Sequence, residues 1–219
     1  FVASLYPAFS MYWKNNKEQI PVTLERAMNY LLIISLPISV GVITLADKIM
    51  LIFKPEYMNA VVSLQIVMAS LVFVFLNFPI GSLLNACDRQ KINMINMGIT
   101  LIASVTPNFL LIPKFHIIGA SATVLTTNIL MFVLGIYQVP KLTKYSFGNN
   151  LKLLFKASAS ALLMFMFVLV AKEKLNIIII IPLAGIIYIT ALFLFRGFKK
   201  EDLESIVKSF IKKYSITKL

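Results

Sequence analysis

Apolar positions along this chain collect into long runs, and the charged residues fall between them. Segments 27–46, 57–87, 92–113, 115–140, 157–171 and 175–195 contain no Asp, Glu, Lys or Arg. A helix rises about 1.5 Å per residue, so about 20 such residues cross a hydrocarbon layer of about 30 Å. Apolar surface on this scale cannot be hidden inside 219 residues folded in water. The pattern predicts an all-α fold, a polytopic transmembrane helix bundle of six full spans. Segment 1–13 is apolar from its first residue and reads as the end of a truncated transmembrane helix, a seventh. Segment 14–26 reads as a cytoplasmic loop, 27–195 as a six-helix transmembrane lobe, and 196–219 as a tail.

The shortest run, 157–171, reaches only about 22 Å as a helix. Lys156 and Lys172 flank it and extend it by carrying their amines to the interfaces. In the tail, Leu203, Ile206, Val207, Phe210, Ile211 and Tyr214 recur at helical spacing, leaving Lys199, Lys200, Lys208, Lys212 and Lys213 for the other face. That predicts an amphipathic helix on the cytoplasmic membrane surface.

Lys and Arg number 21 against nine acids, a net charge of +12. Their placement excludes a nucleic-acid partner: they flank the spans instead of forming a stripe, so membrane lipids with anionic headgroups are the expected counter-charge. Alternating spans put sixteen of the 21 on one side, including Lys14, Lys17, Arg26, Arg89, Lys91, Lys141, Lys144, Lys152 and Lys156. The other side receives Lys48, Lys54, Lys114, Lys172 and Lys174. Basic short loops stay inside, so the chain is expected in the cytoplasmic membrane with its C-terminus cytoplasmic.

A single cysteine, Cys87, excludes an internal disulfide. The lone His116 sits beside Lys114 on a very short outer turn and reads as an interfacial residue, with no ligand or catalytic partner. No phosphate-cradling glycine loop is present, and the outer loops are too short for a sugar polymerase site. The expectation is a protein that is not an enzyme and needs no metal or cofactor. All nine acids lie in loops or the tail, with Asp47 and Asp88 at span borders, whereas ion-coupled transporters usually carry a carboxylate in mid-membrane.

Polar side chains do enter two spans. Asn77, Ser82 and Asn85 accompany Pro79 and Gly81, with Arg89 following. Asn93, Asn96, Thr100, Ser104 and Asn108 stand three or four apart, which places them on one helix face. Lipid offers an amide no partner, so this stripe must face other helices or a watery cavity. For any one residue the simpler role is a hydrogen bond between helices, worth about 0.6–2 kcal/mol. For the stripe as a whole the expectation is a cavity wall meeting a polar substrate such as a sugar. Pro79 and Pro107 are hinge candidates, a static kink being equally compatible with Pro79. Gly119, Ala120, Ser121, Ala122, Thr123, Thr126 and Thr127 form a small-residue face suited to packing.

The run Phe75-Leu-Asn-Phe-Pro-Ile-Gly-Ser-Leu-Leu-Asn-Ala-Cys-Asp-Arg-Gln-Lys-Ile-Asn resembles the polysaccharide flippases of the multidrug/oligosaccharidyl-lipid/polysaccharide exporter superfamily. Asn108-Phe-Leu-Leu-Ile-Pro-Lys-Phe, followed by Ile118-Gly-Ala-Ser-Ala-Thr, is similar to the hairpin joining two later spans in that family. Leu5-Tyr-Pro-Ala-Phe-Ser resembles the cytoplasmic end of an earlier span. The resemblance implies a two-lobed, MATE-like bundle of 12 or 14 helices, of which this chain is the C-terminal half and the missing N-terminal half its partner. It implies a transporter that flips a polyprenyl-linked oligosaccharide by alternating access in cell-envelope polysaccharide biosynthesis. Basic residues in that family attract the pyrophosphate, and Arg89 is the nearest match. The alternative it leaves is a cation-coupled multidrug or other lipid-precursor exporter. His116 stands where the hairpin more often has Gly, and Pro107 precedes Asn108 where Pro is less usual.

Overall fold

The computed structural model describes residues 2–197. The amphipathic tail expected over 196–219 therefore falls almost wholly outside the described residues. Six helices follow one another: α1 (Val2–Asn15), α2 (Gln19–Phe53), α3 (Val61–Ala86), α4 (Gln90–Gln138), α5 (Gly148–Ala171) and α6 (Ile177–Leu194). Short 3-10 turns, Pro55–Ala60 and Val139–Lys141, follow α2 and α4. No strand occurs among the described residues.

Five of these segments are long and apolar enough to cross a membrane, where the sequence predicts six. The difference lies in Gln90–Lys141, which takes in both 92–113 and 115–140. Helical backbone geometry breaks inside it at His116, with φ 49° and ψ −128°. The chain doubles back there: a Cβ placed on Gly119 would lie 2.6 Å from the Leu111 carbonyl oxygen, although residues eight apart in a straight helix are about 12 Å apart. So α4 has two limbs, 90–115 and 117–138, joined by a tight turn. That turn tolerates no side chain at 119.

The helices are longer than the charge-free runs. Starting at Gln19, α2 makes most of the expected loop 14–26 helical, and only 16–18 separate it from α1. The start of α5 at Gly148 adds two turns to the short run 157–171. Charged residues do not end a helix; they end only its lipid-facing portion. At the start of α6 the Asn176 side chain accepts from the Ile178 N–H at 3.2 Å, which caps the first turn.

Contacts between remote segments put the connections at two opposite ends. At one end Trp13 Nε1 donates to Asp88 Oδ2 (3.1 Å), Asn149 Nδ2 donates to Glu25 Oε2 (3.3 Å), and Lys156 Nζ donates to the Arg196 carbonyl (3.0 Å). The loops rich in Lys and Arg thus share this basic end. At the other end Lys172 pairs with Asp47 at 3.1 Å, joining α5 to α2.

Two apolar cores hold the bundle. The first joins Leu5 and Phe9 of α1, Ile20, Leu24 and Met28 of α2, Leu76, Ile80, Leu83 and Leu84 of α3, and Val139. The second joins Leu45 of α2 to Ala157, Ala161, Met164 and Val168 of α5 and to Ile180, Ala184, Tyr188 and Leu192 of α6. Alanines spaced by four let these helices approach closely, as membrane packing favours. Between the cores, Pro37 removes the N–H that would reach the Ile33 carbonyl. The Tyr188 hydroxyl of α6 donates to that carbonyl instead, at 3.0 Å. Ser39 Oγ donates to the Met68 carbonyl (2.6 Å) and Gln65 Nε2 to the Ile43 carbonyl (3.1 Å), fastening α2 to α3. Most large apolar side chains on the remaining faces are exposed, Phe109, Leu194 and Ile178 among them. That is the surface expected where the solvent is lipid.

Candidate functional site

Helix α3 is the surface on which both limbs of α4 rest. Asn77 Nδ2 donates to the Asn128 carbonyl of the second limb at 3.2 Å. Four residues on, a Cβ at Gly81 would stand 3.9 Å from Asn93 Nδ2 of the first limb. One turn further, Asn85 Oδ1 accepts from that same Asn93 Nδ2 at 3.0 Å. Pro79 is buried between these two tethers. Asn77, Asn85 and the Asn93 nitrogen thus make hydrogen bonds between α3 and the two limbs of α4. Ser82 is half-buried on α3.

The first limb carries the rest of the stripe. Asn93 and Asn96 are buried. Thr100 Oγ1 donates to the Asn96 and Met97 carbonyls (3.1 and 2.9 Å), and Ser104 Oγ to the Leu101 carbonyl (2.7 Å). These hydroxyls satisfy themselves on their own helix and keep their oxygens available as acceptors. Thr100 and Ser104 line a groove of about 350 Å³ with Met97, Leu101 and, across it, Thr127, Asn128 and Met131 of the second limb. Asn108 lies near the turn, on a second groove of about 560 Å³ with Val105, Phe109, Ile112 and Pro113. Pro107 is half-buried beside it.

Three buried amide atoms of this limb have no hydrogen-bond partner: Asn93 Oδ1, Asn96 Nδ2 and Asn108 Oδ1. An unpaired buried polar atom costs about 1–3 kcal/mol, so three on one limb form a concentrated unmet demand for partners. Ser63 Oγ and Asp47 Oδ1 share that condition elsewhere.

Arg89 does not line either groove. It sits at the basic end in a separate pocket of about 50 Å³ with Leu84, Ile92, Gln138, Lys141 and Leu142. Thr127 is one of the small residues read as packing, and Asn128 and Met131 carry no signal of their own in the sequence. Their place opposite Thr100 and Ser104 depends on the tight reversal at His116.

Residues 12–110 match the MatE family. The matched stretch runs from the end of α1 through α2 and α3 and stops within the first limb of α4, so it contains the whole polar stripe. Over 154 residues, 69% of this chain, the sequence is 30% identical to an uncharacterized membrane protein of Methanocaldococcus jannaschii. The chain spans about 30% of the length of that curated relative. Together with the five spanning segments, these likenesses make the chain a polytopic, all-α membrane protein with a MatE-like segment over α2, α3 and the first limb of α4.

Proposed function

We propose that this chain is part of a transporter that flips lipid-linked oligosaccharide or polysaccharide units across the cytoplasmic membrane by alternating access. The observation that carries the reading is the groove that Thr100 and Ser104 share with Thr127 and Asn128, on the limb that also carries the unpaired amide atoms Asn93 Oδ1, Asn96 Nδ2 and Asn108 Oδ1. A sugar unit presents many hydroxyls, each donor and acceptor, and such groups can donate to the hydroxyl oxygens of Thr100, Ser104 and Thr127. Met97, Leu101 and Met131 give the same groove apolar sides, which suits the faces of sugar rings and a polyprenyl chain. The basic end faces the cytoplasm on this reading, following the positive-inside rule.

The test uses the full-length protein in a deletion strain of its source. Asn96→Leu and Thr100→Val, alone and together, should lower surface polysaccharide at least several-fold at unchanged protein level. Normal export from the double variant would overturn the assignment of the groove.

A second reading, export of amphipathic drugs, is favoured by a different feature. Pro37, Ile38, Gly41, Leu45, Met164 and Ala184 are among the wholly apolar residues lining a cavity of about 360 Å³ between α2, α5 and α6. Such a cavity suits the apolar part of a drug. A drug-susceptibility panel on the deletion strain separates the two readings: increased sensitivity with intact surface polysaccharide supports the second.

A further inference from the structure

The small pocket at the basic end has a chemistry that neither groove of α4 uses. Arg89 stands at the α3–α4 turn, while Gln138 and Lys141 come from the far end of α4 and the turn after it. The reversal at His116 brings these three residues, all with side-chain N–H donors, to one pocket across about 50 residues of sequence. Arg89 is exposed and offers a planar fork suited to two oxygens of one phosphate. Lys141 Nζ lies over the Tyr137 ring, 4.3 Å from its centroid, which holds the ammonium in place. Among the described residues no carboxylate lines the pocket. Asp88, adjacent to Arg89 in sequence, accepts at Oδ2 from Trp13 Nε1.

Size decides what fits. Its space of about 50 Å³ is a few times the roughly 10–15 Å³ that one water needs on the same measure, so the pocket takes a compact anionic group and not an oligosaccharide. Leu84, Ile92 and Leu142 supply its apolar side. The pocket lies where spanning helices end, and a helix that crosses the hydrocarbon layer ends near the headgroups. A free anion has no use for the leucines; a phosphodiester with acyl chains attached uses both the cations and the apolar side.

We propose that Arg89, Gln138 and Lys141 form a binding site for the phosphate of an anionic phospholipid headgroup in the leaflet at the basic end. The site does not depend on the identity of the transported substrate. Basic pockets between spanning helices are suited to such headgroups, and each Lys or Arg near an anionic surface is worth about 1 kcal/mol, or about fivefold in affinity.

The experiment is native mass spectrometry of the full-length protein released from vesicles containing equal phosphatidylglycerol and phosphatidylcholine. Wild-type protein should retain phosphatidylglycerol in preference. Arg89→Gln and Lys141→Gln should each lower that preference about fivefold, and Lys174→Gln, at the other end, should leave it unchanged. If Arg89→Gln fails to fold, Lys141→Gln reads the same site. Equal retention of the two lipids, or equal losses from Lys174→Gln and Lys141→Gln, would overturn the proposal. So would displacement of the lipid by millimolar inorganic phosphate, because the occupant would then be a free anion.

Discussion

Replacing Tyr188 by Phe tests how a proline bend is tolerated inside this bundle. Pro37 cannot donate to the Ile33 carbonyl, and the Tyr188 hydroxyl is the donor that does so, at 3.0 Å. Tyr188 is buried at 2% exposure, so the ring of Phe fills the same space and only the hydroxyl is lost. The carbonyl is then left unpaired, at a cost of about 1–3 kcal/mol. Measured side-chain bonds between membrane helices average about 0.6 kcal/mol, with a maximum near 1.7. The expected loss for Tyr188→Phe is therefore about 1 kcal/mol. Pro37→Ala restores a backbone N–H four residues after Ile33, so in that background the same change should cost almost nothing. The assay is a double-mutant cycle on the full-length protein in detergent, read by denaturant or thermal unfolding. A coupling energy of about 1 kcal/mol between positions 37 and 188 is expected. A cost for Tyr188→Phe that is the same in the wild-type and Pro37→Ala backgrounds would refute the reasoning.

Four further outcomes follow from the geometry. His116→Gly should stabilise the protein by about 1 kcal/mol, because a non-glycine at positive φ costs about 1–3 kcal/mol and glycine gives back part of that in chain freedom; His116→Val should destabilise it, both read as shifts in melting midpoint. Gly119→Ala should cost about 1–3 kcal/mol, since its Cβ meets the Leu111 backbone, whereas Gly98→Ala, with nothing within 4 Å, should be neutral or stabilising. Tyr145→Phe removes the hydroxyl that donates to Asn150 Oδ1, at about 1–3 kcal/mol. Burial, with the Glu25 charge, holds the Tyr145 hydroxyl protonated above the usual tyrosine range, so the difference should stay constant up to about pH 10, the unfolded value, and shrink above it. Burial, with Asp88 adding and Lys17 opposing, pushes the Cys87 thiol up to about 11. Its thiolate is then about one part in a thousand at pH 8, and maleimide should label it only after unfolding, as mass spectrometry would show.

The spans were legible because lipid imposes one rule on every residue that faces it. Runs without charge mark where the chain is greasy enough, and the five spanning segments cover all six runs to within two residues at either end. Helix ends were less legible: charge ends a lipid-facing run, while the backbone goes on hydrogen-bonding through Gln19–Arg26 and Gly148–Lys156. His116 was marked by standing where glycine is commoner, and its backbone has the positive φ that glycine favours. The spacing of Asn93 to Asn108 put them on one face, but nothing in it told which amides would be spent on neighbours. Asn93 meets Asn85 eight residues away across a turn, and Asn77 meets a carbonyl 51 residues on. Pairings such as Asp47 with Lys172 or Asn150 with Asn29, more than 120 residues apart, have no local signature. They depend on which helices become neighbours.

The approach of Gly119 to the Leu111 backbone bears on the route a solute can take. At that apex the two limbs of α4 are in backbone contact and have no slack, whereas further down they part far enough to leave space beside Thr100 and Thr127. The cleft between them is thus a slot with a sealed tip. A solute lodged in it meets closed backbone at the apex and has open space only lower down, beside Thr100 and Thr127.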